Sequence, residues 1–191
     1  MLNERIKIKE TKILSNNWYT LKKITFDYLN KKGEWIEQSR EAYDRGNGAV
    51  ILLYNTEKQS VILTKQFRMP TFINGNTDGL LIEACAGLLD ADDPLTAILR
   101  ETEEETGYKL THVEKVYECY MSPGSVTEIL YFFIGEYSAK TEKLEGGGID
   151  NEDIEVLEVP FSKAMEMIKS GEIKDAKTIM LLQYLALENK I

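Results

Sequence analysis

Histidine is almost missing from this 191-residue chain, which has one, His112. A lone histidine excludes a multi-histidine metal site within one chain and argues against a serine–histidine triad. Cysteine is nearly as scarce. Cys85 and Cys119 lie far apart with no CxxC pairing, the pattern of two buried thiols in a reducing compartment. No apolar run reaches the roughly 18 residues expected of a membrane span. Met1-Leu2-Asn3-Glu4-Arg5 alternates charge where a signal peptide carries an apolar core, so the expected location is cytoplasmic. Excess positive charge is lacking too. The net charge is −9, unlike the basic surface of a nucleic-acid binder. An acidic enzyme still acts on an acidic substrate when metal ions stand between the two charges. Internal repeats, low-complexity tracts and an obvious linker are all absent, so one domain with attached elements is the default. Hydrophobic residues make up 43 % of the chain, enough for a core.

Runs of β-formers predict strands over Ile6–Leu14, Trp18–Tyr28 and Glu34–Tyr43, with a turn at Asn30-Lys31-Lys32-Gly33. These make an antiparallel β extension over residues 1–45. Gly46-Asn47-Gly48 breaks the chain, and a domain over residues 46–191 follows. Two apolar strands, Ala49–Tyr54 and Ser60–Phe67, form a hairpin, and Leu80–Ala84 is a short strand. Asp92-Asp93-Pro94 reads as a helix start, an acidic cap with proline in the first turn. Gly107 reads as the stop. Strands Val113–Met121 and Glu128–Tyr137 flank Ser122-Pro123-Gly124-Ser125. Gly146-Gly147-Gly148 reads as the most flexible spot in the chain. Helices are expected over Phe161–Ser170 and Ala176–Glu188. This order of elements predicts an α+β fold.

The helix that ends at Gly107 carries the chemistry. Glu101 lies three residues from Glu104 and four from Glu105, so an α-helix puts all three on one face, about 5–6 Å apart at Cβ. With Glu103 there are four carboxylates in five residues. Like charges at such spacing destabilise a helix by roughly 0.2–0.5 kcal/mol per pair. A divalent cation removes that penalty and takes carboxylate oxygens as hard ligands, which favours Mg²⁺ or Mn²⁺ over soft metals. Taken alone, such a row reads first as a solvated acidic face, partly neutralised by Arg100.

The flanking residues resemble the Nudix box, G-x5-E-x7-R-E-U-x-E-E-x-G-U, with U a bulky apolar residue. Arg100, Glu101, Glu104, Glu105 and Gly107 stand in register, and Tyr108 fills the last apolar slot. Three slots depart from the pattern. Ala86 stands in the opening glycine slot, with Gly87 one residue later; Asp92 or Asp93 replaces a glutamate; and Thr102 replaces a bulky apolar residue. The resemblance implies an α/β/α sandwich around a mixed sheet. Gln66-Phe67-Arg68, Glu83-Ala84-Cys85-Ala86-Gly87, Ser122–Glu128 and Gly146–Val156 are similar to the nucleotide-sugar branch of the family, although most members of that branch have proline where this chain has Cys85. With Tyr43–Gly48 and Met121–Gly124 added, the chain most resembles the GDP-mannose pyrophosphatases. ADP-ribose or ADP-sugar hydrolysis is the alternative within the branch, and a non-catalytic nucleotide-sugar sensor is the alternative of another class.

That resemblance implies residue roles. Metal ligands would be Glu101, Glu104, Glu105, Glu152 and the backbone of Ala86. Glu152 is the first candidate for general base and Glu104 the second. Substrate contacts would come from Trp18, Ser39, Arg40, Glu41, Arg68, Ala86, Gly87, Glu128, Asn151 and Lys177. Arg68, a planar cation, suits a diphosphate, with a surface salt bridge as the alternative. Trp18 either stacks on a base or packs in its strand. Arg40 and Glu41 either meet the guanine and sugar or pair across strands. Lys177 reaches a phosphate or sugar oxygen, or is simply solvated. The Ser122–Gly124 turn either places Glu128 near the sugar or is a plain hairpin. The subgroup further implies a homodimer whose N-terminal strands reach into the partner's site, and no membrane or nucleic-acid partner.

Overall fold

The computed structural model describes residues 4–149 and 153–191. Its contacts divide the chain into two compact units, Met1–Asn47 with Tyr120–Ile129, and Gly48–Cys119 with Leu130–Ile191.

The first unit is built on an antiparallel sheet of β1 (Ile6–Asn16), β2 (Thr20–Leu29) and β3 (Trp35–Asp44), in that order. Asn30 closes the turn between β2 and β3, its side-chain oxygen accepting from the backbone N–H groups of Lys32 and Glu34. Trp18, expected inside the second strand, lies on the bend before β2 and is 87 % exposed. Ser122–Val126 is not a plain hairpin turn. It folds onto the end of β3, where Tyr43 donates to the Ser125 carbonyl and accepts from Thr127 N–H.

The second unit is a mixed seven-stranded sheet. Its main path runs β12 (Glu155–Pro160), β5 (Ser60–Phe67), β4 (Gly48–Asn55), β10 (Ile129–Glu136), β9 (Glu114–Tyr120). β4 and β10 are parallel, while β4–β5 and β5–β12 are antiparallel. β4 is buried along its whole length, as suits a central strand covered on both faces. β4 and β5 pair only near their hairpin, at Leu53–Asn55 and Ser60–Ile62, and then diverge. The fork is filled by β6 (Leu80–Glu83) against β5 and β7 (Cys85–Leu88) against β4. The Nudix-box opening, Ala86-Gly87, therefore sits inside the sheet. This is where the sequence predicted one short strand.

Helices cover both faces. α2 (Pro94–Glu101) places Ile98 against Ala49, Ile51, Leu53 and Phe133. On the opposite face, Phe132 meets Tyr117, which in turn meets Tyr184 of α4 (Ala176–Leu187). Neighbours along a strand point to opposite faces, so Phe132 and Phe133 mark the two sides of the expected α/β/α sandwich. α3 (Phe161–Ser170) spans the residues the sequence predicted. The sequence did not indicate α1 (Met69–Ile73), nor the two-residue strands β8 (Tyr108–Lys109) and β11 (Glu142–Lys143). Cys85 is buried, but Cys119 is only partly so, and both are free thiols. Among the described residues no helix is long and apolar enough to cross a membrane.

Candidate active site

α2 starts as its sequence dictates. Asp93 caps it, accepting from Leu95 N–H at 3.0 Å and Thr96 N–H at 3.2 Å, with Pro94 in the first turn. It does not remain an α-helix. Thr102–Thr106 form a π-helical turn, closed by Gly107 in the left-handed region at φ +76°. Two buried threonines bracket this turn. The hydroxyl of Thr102 donates to the Ile98 carbonyl, and that of Thr106 to the Thr102 carbonyl. Such back-bonding competes with the backbone ladder and loosens a helix. π-turns inside helices concentrate at functional sites.

The wider turn sorts the carboxylates, which α-helical spacing had put on one face. Glu105 is 4 % exposed and accepts from Ala86 N–H at 3.3 Å. Burial pushes its carboxyl up to about 7, and the Glu101 charge adds to this, while the Cys85 thiol, Ala86 N–H and Arg68 act the other way. Glu101 packs on Gly87 so closely that a Cβ there would overlap its side chain. Arg100 Nη1 holds both Glu101 Oε1 and Glu104 Oε2 at 3.0 Å. Glu103 stands apart, 4.0 Å from Lys109. Among the described residues no three His, Cys, Asp or Glu side chains converge as a metal cluster, because Arg100 gathers Glu101 and Glu104 while Glu105 turns inward to Ala86. The Glu101–Glu105 pair nevertheless fits a divalent cation. A buried carboxylate raised by burial and by a like charge is what a cation stabilises, and the missing side chain of Gly87 lets Glu101 pack against β7.

Cys85, which stands where most of the resembled branch has proline, lies beside Glu105. Burial, and then Glu105, push its thiol well up. It therefore stays protonated and donates to the Glu105 carboxylate. The triple glycine is not loose at its inner end. Gly147 and Gly148 N–H donate to the carbonyls of Glu105 (2.8 Å) and Glu104 (3.1 Å). These bonds satisfy backbone groups that the end of the helix leaves open. Asn151 and Glu152 lie outside the described residues.

Arg68 and Lys177 converge on a residue to which the sequence reading gave no role. Arg68 Nε donates to Glu83 Oε2 at 2.6 Å, and Lys177 Nζ to Glu83 Oε1 at 2.5 Å and to Asp175 Oδ1 at 2.9 Å. The Lys177 side chain is 14 % exposed, so it is not the solvated lysine the sequence left open. The available signal was a lone carboxylate ending the apolar strand Leu80-Leu81-Ile82-Glu83.

The remaining candidates belong to the first unit. Arg40 and Glu41 line a concavity of about 640 Å³ with Tyr120 and Pro123–Thr127. Arg40 bonds locally, to the Ser39 carbonyl and Gln38 Oε1. The Ser39 hydroxyl lies 3.0 Å from that of Thr25. Glu128 faces Arg45 at 3.6 Å, a partner the sequence reading missed. Arg45 also lies over the Tyr19 ring.

Residues 44–182 match the family model described as NUDIX domain, and the chain belongs to the Nudix family. Its N-terminal part is more particular, since residues 5–43 match the model described as GDP-mannose pyrophosphatase NudK N-terminal domain. A GDP-mannose pyrophosphatase of Escherichia coli strain K12 is 56 % identical over 184 residues, 96 % of each chain. One from Shigella dysenteriae serotype 1 is 55 % identical over 190 residues, 100 % of each chain. A crystal structure of an ADP compounds hydrolase superposes with a TM-score of 0.74 over 98 % of each chain at 16 % identity. At that identity the likeness shows the fold alone.

Proposed function

We propose that the protein hydrolyses the diphosphate bond of a nucleoside-diphosphate sugar, converting GDP-mannose to GMP and mannose 1-phosphate. The observation that carries this is the 56 % identity to a GDP-mannose pyrophosphatase over nearly the whole chain, with the acidic residues of the Nudix box in place. Glu101, Glu105 and the Ala86 backbone would hold Mg²⁺, or Mn²⁺ in its stead, with Glu104 and Glu152 as further ligands. When bound, such an ion neutralises the diphosphate and makes a water molecule easier to deprotonate. Arg68 donates to phosphoryl oxygens, where charge builds during the reaction. A carboxylate removes the proton from the attacking water, Glu152 first and Glu104 second. Trp18, Ser39, Arg40, Glu41 and Glu128 serve the base and sugar, and Gly87, Asn151 and Lys177 the phosphates.

The chain is organised as an N-terminal extension over residues 1–45 and a hydrolase domain over 46–191, and it works in the cytoplasm as a homodimer with exchanged N-terminal strands. In support, the first unit's sheet leaves Ile6, Ile8, Ile13, Leu14, Trp35 and Ile36 more than 40 % exposed, apolar surface of the kind that a second copy would cover. The test of the reaction is product chromatography after incubation with GDP-mannose and Mg²⁺. GMP and mannose 1-phosphate are expected. GDP with free mannose would place the cut elsewhere and overturn the proposal.

A further inference from the structure

Glu83 is 3 % exposed, and a carboxylate that deeply buried is tolerated only when paired. Its two oxygens are divided between two cations from different elements. Oε2 takes Arg68, at the end of β5 where α1 begins, and Oε1 takes Lys177, in the first turn of α4. The backbone beside it is fastened to the same two elements. Thr64 of β5 donates its hydroxyl to the Glu83 carbonyl, and Ala84 N–H donates to Thr178 Oγ1 of α4. Asp175, which caps α4, also holds Lys177.

Arg68 and Lys177 are long side chains that would otherwise sample many rotamers. A carboxylate fixed inside the sheet fork removes that freedom before any substrate arrives. Among the described residues Arg68 is held through Nε alone, which leaves its other two nitrogens for a ligand. We propose that Glu83 is a positioning residue that sets Arg68 and Lys177 in place for the diphosphate of the substrate, a role that rests on the reaction proposed above. Glutamine is its informative replacement. An amide keeps the shape but has one acceptor oxygen, and its NH₂ group faces the second cation donor to donor. One of the two cations is then released.

The test measures kcat and KM at saturating Mg²⁺ for wild type, Glu83→Gln, Arg68→Ala and the double variant, on the nucleotide sugar that wild type cleaves. Misplacing a positioned group by about 1 Å costs up to roughly 10²-fold, and Glu83→Gln is expected to lower kcat/KM by about tenfold or more. Because Glu83 acts through Arg68, the loss in the double variant falls well short of the product of the two single losses. Glu83→Asp keeps the charge but draws the oxygens back by one methylene, and it lowers kcat/KM too; it serves if the glutamine variant does not fold. Wild-type kcat/KM in either folded variant, or fully multiplicative losses, would overturn the positioning role alone. Failure of wild type to cleave any nucleotide sugar would overturn the proposed reaction and this role together.

Discussion

At Glu105, burial and metal binding pull in opposite directions. The fold puts its carboxyl where ionisation is disfavoured, raised to about 7, yet a metal ligand must be ionised. Glu105→Gln is therefore expected to lower turnover at saturating Mg²⁺ by at least about 10²-fold. Its melting temperature in chelator near neutral pH should not fall, because the amide relieves the buried charge. Near-normal turnover in this variant would contradict the metal assignment. Glu152→Gln should lower kcat by roughly 10²–10⁴-fold, the usual contribution of a general base, while Mg²⁺ still binds. An unchanged rate would move the base role to Glu104. At this scale the sequence revealed the register of Arg100, Glu101, Glu104, Glu105 and Gly107, but not their partners. Glu83 and Arg45 could not be found by spacing, because what pairs them is the return of α4 to the fork and the docking of Ser122–Glu128 on β3.

Element boundaries followed from local signals where these were strong. Asp93-Pro94 started α2, and Gly107 ended the acidic segment, as the sequence predicted. The π-turn was not legible, since the hydroxyls that loosen it belong to two threonines that also suit an ordinary helix. β7 and β12 were missed for a different reason, as each gains its strand form by filling a place in the sheet. β12 offers a test at its own scale. Lys58, followed by Tyr137 and Ser60, holds the Glu158 carboxyl below its ordinary value of 4.5 through hydrogen bonds that tie β12 to the β4–β5 turn and to Tyr137. A depressed carboxylate stabilises the fold fully above its unfolded pKa and loses that contribution as the pH falls through the folded one. Melting curves should therefore show Glu158→Gln less stable than wild type near neutral pH, with the gap closing as the pH falls below the ordinary value of 4.5. A gap independent of pH would show that the ionised form does not matter.

At the scale of the whole molecule, the sandwich was legible from the order of strands and helices together with the box resemblance. The grouping of Tyr120–Ile129 with the N-terminal unit was not, because only the fold brings that loop to β3. Sedimentation of the full chain is expected to give a dimer, and Ile8→Lys with Ile13→Lys to shift it towards monomer. A monomeric wild type at micromolar concentration would contradict the exchanged-strand assembly. The reaction itself is the central claim, and it is tested most directly by initial rates on GDP-mannose and ADP-ribose, each with Mg²⁺ and with excess chelator. The account predicts a higher kcat/KM for GDP-mannose and no turnover of either in chelator. Preference for ADP-ribose, or turnover that survives the chelator, would contradict it.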